Sequence, residues 1–153
     1  MRDADAVLEA WYVGEVGGEA LFWGLAERAE PALGRKWLAL AEIESRVARR
    51  LGATLLARDR AIPECRDAPA RARARCEAVA GKSWAELMRW LKDHAADVLS
   101  EMRTDAARLP VELSAIGAMV VAHEQALVDF AAMEIDGRGE DSLRPVREFL
   151  SRR

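Results

Sequence analysis

The chain has little of what would classify a protein at sight. Among its 153 residues there are two cysteines, Cys65 and Cys76. Their spacing matches no zinc pattern, and free thiols are expected for them in a reducing compartment. No unbroken apolar stretch approaches the roughly 20 residues that a membrane-spanning helix needs. The N-terminal "MRDADAVLEAWYV" is amphipathic and lacks the apolar core and cleavage site of a secretory leader. A cytoplasmic protein without a membrane partner is therefore the expectation. There is no basic excess either: the formal net charge is −3, which argues against a general nucleic-acid binder. The local run "RARAR" at 71–75 reads as a solvated face. No segment reads convincingly as a strand.

What is present is helical period. Apolar residues make up 51% of the chain and charged residues 32%, as in a globular protein, and the length suits one domain over 1–153. The first segment, about 3–29, carries Leu8, Tyr12, Glu15, Glu19, Phe22 and Ala26 at steps of three and four, widened by Trp11, Gly18 and Leu25. Pro31 and Gly34 break the pattern. The second segment, about 33–56, carries Trp37, Leu40, Ala41, Glu44, Val47, Ala48 and Leu51. A long connection over 57–82 follows, with a short helix expected around 68–79. Ser83 then opens the third segment as N-cap, with Glu86 three residues on as a capping box. Its stripe reads Trp84, Leu87, Leu91, His94, Val98 and Met102. Pro110 stands near the first turn of the fourth segment, whose stripe reads Leu113, Ile116, Gly117, Val120, Glu124, Leu127 and Ala131. "DGRGED" ends it, and a short tail helix follows. Connections that run short, long, short predict an all-α chain of four long helices in two antiparallel hairpins, with a crossover between the second and third helices.

Each long helix has a polar residue at a core position: Glu15, Glu44, His94 and Glu124. Their offsets from Pro31 and Pro110 place all four near the middle of their helices. Buried carboxylates cost several kcal/mol each unless paired, protonated or bound to metal. The stripes hold no lysine or arginine. Three carboxylates and one imidazole must then hold metal, share protons or meet water. His123 lies about 100° off the fourth stripe, and Glu42 lies on a flank of the second. The five tryptophans fit core and interface packing, and an exposed Trp23 or Trp90 would mark a homodimer face.

The stretch Glu15, Gly18, Phe22 and Ala26, together with Glu44, Val47, Ala48 and Leu51, resembles the first two helices of the ferritin-like superfamily, rubrerythrin branch. Glu124 and Leu127 take the places of that family's second Glu-x-x-His motif. His94, with Asp97 and Glu101 nearby, takes the place of its third-helix Glu. The resemblance covers about 3–135. It implies a ferritin-like antiparallel four-helix bundle and a carboxylate-rich site for iron or manganese, with oxidase- or peroxidase-type chemistry. The family site uses four Glu and two His around two ions. Here both motif histidines are replaced, by Val47 and Leu127. Three carboxylates cannot neutralise two divalent ions unless Glu19, Asp97, Glu101 or hydroxide help, so one metal on Glu15, Glu44, His94 and Glu124 is the expectation. The alternatives left open are a bundle that kept the fold, lost its cofactor and serves interactions, and a small-ligand pocket in the bundle centre. The substrate and the catalytic residues are not legible.

Overall fold

A computed structural model describes residues 3–152, and all regular secondary structure among them is helical. The elements are α1 (Ala4–Arg28), α2 (Pro31–Ala57), α3 (Ala68–Val79), α4 (Trp84–Ala106), α5 (Ser114–Ile135) and α6 (Arg144–Ser151), with a single 3₁₀ turn at Val111–Leu113 before α5. The chain divides into two compact units, the first ending at Ala78 and the second beginning at Val79.

In the first unit α1 and α2 are joined only by Ala29 and Glu30, so they return on each other as a helical hairpin. Glycine sets the closeness of the pair. A Cβ at Gly34 would lie 3.2 Å from the Ala26 carbonyl oxygen, one at Gly18 would lie 2.9 Å from the Glu44 carboxylate, and one at Gly52 would lie 3.4 Å from the Tyr12 ring. These contacts move outward along both helices together, which is the antiparallel register. Trp37 stacks on Phe22 with ring centroids 5.8 Å apart. α2 ends with Asp59 in the left-handed region at φ 56°, a conformation Asp adopts more readily than most residues. Arg60 N–H donates to Leu55 O at 2.9 Å and Asp59 N–H to Leu56 O at 3.0 Å, which closes the helix with a Schellman motif. Arg58 then pairs with Asp5 at 2.6 Å and Arg60 with Glu9 at 3.1 Å, tying the connection back to the start of α1. α3 lies against α1 through Cys76, whose Sγ approaches the Leu21 carbonyl at 3.8 Å.

In the second unit α4 opens with the expected capping box: Ser83 Oγ accepts from Glu86 N–H at 3.2 Å and Glu86 Oε2 accepts from Ser83 N–H at 2.7 Å. α4 pairs with α5. Gly117 sits beside Ala106 near the turn, Arg103 donates to Gln125 at 2.8 Å, and the Trp84 indole N–H donates to Glu134 at 2.8 Å near the far end. Ser142 donates to the same carboxylate at 2.6 Å, holding the segment between α5 and α6. Gly137, at φ 75°, lets α5 end in the same Schellman motif as α2, with Arg138 N–H donating to Met133 O at 2.8 Å. α6 covers α5 through buried Val146 and Phe149.

Two expectations change here. α5 together with its preceding turn, Val111–Ile135, is long enough to cross a membrane and reaches a mean hydropathy of 1.3 over an 18-residue window. Glu124, Gln125 and Asp129 interrupt the segment, so it does not read as an unbroken apolar run. Every residue of the α5 stripe from Leu113 to Ala131 is buried, and so are His123, Ala126 and Phe130, so the buried face is wider than one stripe. On α4 the buried line is Met88, Leu91, Ala95, Leu99 and Met102, one residue round from the line through Leu87, His94 and Val98.

Candidate metal centre

Glu15 and Glu44 are buried charged residues of the first unit, at 1% and 5% relative exposure. Glu15 stands on the α1 face that continues through Gly18 and Phe22. Glu44 stands on α2 between Leu40, Ala41 and Val47, all fully packed. The hairpin register carries Glu44 onto Gly18, and the missing side chain there makes room for the carboxylate: a built Cβ would fall 2.9 Å from both Cδ and Oε2 of Glu44. An oxygen of Glu15 and an oxygen of Glu44 lie within 4.8 Å of each other. Two carboxylates at that separation in a buried setting require a counter-charge or a shared proton. The replaced motif positions do not help, since Val47 is completely buried as core.

A cation does approach this pair, from an element outside the four stripes. Arg75 on α3 is half-buried and lies within electrostatic reach of Glu44. Burial pulls its guanidinium below the ordinary arginine value, while the Cys76 thiol and the Glu44 carboxylate pull it back up. Arg75 lies outside the four stripes, and the connection from α2 to α3 is what brings it there.

The second unit has its own buried imidazole, and it is not His94. His94 is exposed on α4 and stacks on Trp90 one turn earlier, with centroids 6.1 Å apart and an 8° interplanar angle. The expectation that it sits on the core stripe is corrected by Ala95, whose small side chain takes the buried position. The buried histidine is His123, at 0% exposure. Its Nδ1 lies 2.6 Å from the Val120 carbonyl oxygen. A carbonyl can only accept, so Nδ1 carries the proton. In the neutral ring Nε2 then bears the lone pair, the arrangement typical of a metal-ligating histidine. Phe149 tilts against the ring at 6.3 Å. Nε2 faces Glu124 Oε2 at 3.4 Å, and Glu124 is itself 5% exposed. A lone pair facing a carboxylate oxygen at that distance is repulsive without a proton or a cation between them.

Of the expected set, then, Glu15, Glu44 and Glu124 are buried and His94 is not. Glu19 is half-buried, and Glu42, Asp97 and Glu101 are exposed. The carboxylate pair of the first unit suits Mn, Fe or Mg better than Cu or Zn. Leu127, at the second replaced motif position, is packed as core like Val47, so neither motif position offers an imidazole for a second ion.

No protein-family model, curated protein or solved structure matches the chain. The functional reading therefore rests on the side chains themselves.

Proposed function

We propose that this is a ferritin-like protein that holds a single Fe or Mn ion on the buried carboxylates Glu15 and Glu44 of the first unit. The observation that carries the reading is the pair of buried carboxylates, Glu15 and Glu44, within 4.8 Å over the bare face of Gly18. Two carboxylates balance one divalent ion. Arg75 offsets part of the Glu44 charge, which limits the site to one ion of moderate affinity. When bound, the ion supplies Lewis-acid or one-electron chemistry toward oxygen or peroxide. The protein's own residues hold it away from water and keep Glu44 aimed by the space at Gly18.

The test is calorimetric titration of the chelator-treated chain with Mn²⁺. About one equivalent is expected, with binding abolished in Glu44→Ala and in Glu15→Ala. Gly18→Ala separates geometry from ligand identity. The added methyl displaces only the flexible end of Glu44, so the fold is retained while Mn²⁺ affinity falls about 10–100-fold, the usual effect of disturbing a ligand's support. A chain that takes up no Mn²⁺ or Fe²⁺ and whose melting is unchanged by either ion overturns the reading. The buried carboxylates would then be a retained feature of a non-catalytic interaction protein.

A further inference from the structure

The "RARAR" run is not a uniform solvated face. Arg71 and Arg73 are exposed, whereas Arg75 is half-buried and Cys76 beside it is buried. α3 is only 12 residues long, at the lower limit of what an isolated helix can hold in water. Arg71 and Arg75 stand one turn apart, a like-charge spacing that weakens the helix further. α3 therefore depends on its docking to α1, and that docking is narrow. Cys76 fits the space left by Gly24, where a built Cβ would lie 2.8 Å from Sγ. Arg71, Ala72 and Arg75 are instead separated from Gly14 and Gly17 by a cleft of about 660 Å³. A Cβ built on Gly14 or Gly17 meets nothing within 4 Å, so α3 does not pack on that part of α1.

Arg75 supplies the second hold. Its charge is engaged, set against Glu44 across the connection that brings α3 back to α1. The geometry agrees. Glu44 lies over Gly18, the residue after the cleft-lining Gly17, so the carboxylate and the cleft adjoin on one helix. Glu15 completes the carboxylate pair within 4.8 Å. A divalent ion on that pair would stand beside the guanidinium, and like charges at such range repel. Ion and guanidinium therefore compete for the same carboxylate. Whatever factor one costs the other is reciprocal.

We propose that α3 is a latch on the carboxylate pair: Arg75 is the counter-charge of Glu44 in the metal-free chain, and an ion taken up by Glu15 and Glu44 displaces Arg75 and loosens α3 from α1. The inference rests on the metal reading above and adds its regulation. A helix held at so few points opens at low local cost. Its loosening uncovers the buried Cys76 thiol, which makes that thiol a local probe of the latch.

The experiment is alkylation of Cys76 by N-ethylmaleimide in the full chain carrying Cys65→Ser, read by mass spectrometry, with Mn²⁺ binding measured by calorimetry on the same protein. Where the helix opens and closes faster than the thiol reacts, the labelling rate tracks the open population. The chelator-treated chain should label slowly, and saturating Mn²⁺ should speed labelling about tenfold, a usual size for coupling between sites. Arg75→Gln should label fast without metal, respond little to Mn²⁺, and bind Mn²⁺ about tenfold more tightly, by the same reciprocity. Arg75→Lys keeps the charge and should stay closer to the parent. The Mn²⁺ arm needs no change at Arg75, so it decides the matter even if Arg75→Gln misfolds. Mn²⁺ that binds without changing Cys76 labelling overturns the latch and leaves the metal reading standing. A folded Arg75→Gln with parental Mn²⁺ affinity does the same. Uptake by Arg75→Gln alone would support the latch, with Arg75 as the stronger competitor. No uptake by either chain overturns the metal reading and the latch together.

Discussion

The two units are each built on a helical hairpin, yet they bring their helices together by different means. In the first, α1 and α2 approach through three glycines, Gly18, Gly34 and Gly52, with an aromatic stack of Phe22 on Trp37. In the second, glycine matters only near the turn, at Gly117. The far end is held by a polar knot of Trp84, Glu134 and Ser142. Neither α1 nor α2 has a side-chain N-cap hydrogen bond, whereas α4 has a full capping box. The lesson is that a hairpin packed through glycine has room to bury charge. The space over Gly18 admits a carboxylate where a side chain would exclude it. The second hairpin, closed by side-chain hydrogen bonds at its end, buries its imidazole by giving α5 a wide apolar face.

The comparison can be broken most forcefully in the cores. Trp37→Ala removes the buried stack of the first unit and should cost about 3–5 kcal/mol, and Phe130→Ala should cost a similar amount in the second. Urea unfolding followed by circular dichroism measures both. A loss below 1 kcal/mol at Trp37 would mean that the glycine contacts, not the aromatic pair, hold the first hairpin.

A second change sharpens the point about buried charge. Glu15→Leu/Glu44→Leu replaces two buried carboxylates by apolar groups of similar size. Stability of the metal-free chain should rise by about 1–4 kcal/mol, and the stabilisation that Mn²⁺ gives the parent should vanish. Thermal melting with and without Mn²⁺ reads both effects. Lower stability in the metal-free double variant would show that the carboxylates are satisfied within the protein itself.

The smallest expected effect lies in the cap that only the second unit has. Ser83→Ala should cost about 1 kcal/mol. Glu86 accepts from the Ser83 backbone and side chain, which holds its carboxyl below the usual range. Its folded pKa is thus the lower one, so its contribution is present above the unfolded value and is lost as pH falls through the folded value. Glu86→Gln should flatten that part of the acid limb of stability by lowering neutral-pH stability slightly, and should leave stability in strong acid nearly unchanged. Urea midpoints measured between neutral and strongly acid pH check this.

Most helix boundaries were readable because their signals are local. Ser83 and Glu86 mark a start, Pro31 and Pro110 mark entries, and Gly137 marks an end, each through chemistry within a few residues. The stripes of α1, α2 and α5 were readable for a related reason: large apolar side chains recur at helical spacing. α4 was less readable. Leu87, Leu91, His94 and Val98 compete with Met88, Leu91, Ala95 and Leu99, two lines that share Leu91 and differ by about 100° of rotation. A scan that favours large residues picks the first line, and packing chose the second because Ala95 permits close approach.

The sequence by itself determined the helices, the short and long connections, and the three carboxylates Glu15, Glu44 and Glu124 at buried positions, because periodicity and turn chemistry are properties of neighbouring residues. The tertiary structure alone decided which histidine is buried, that Gly18 accommodates Glu44, that Arg75 comes within reach of that carboxylate, and that Gly14 and Gly17 face open space. Each of those depends on what a second helix places opposite a residue, and periodicity along one helix carries no information about its partner.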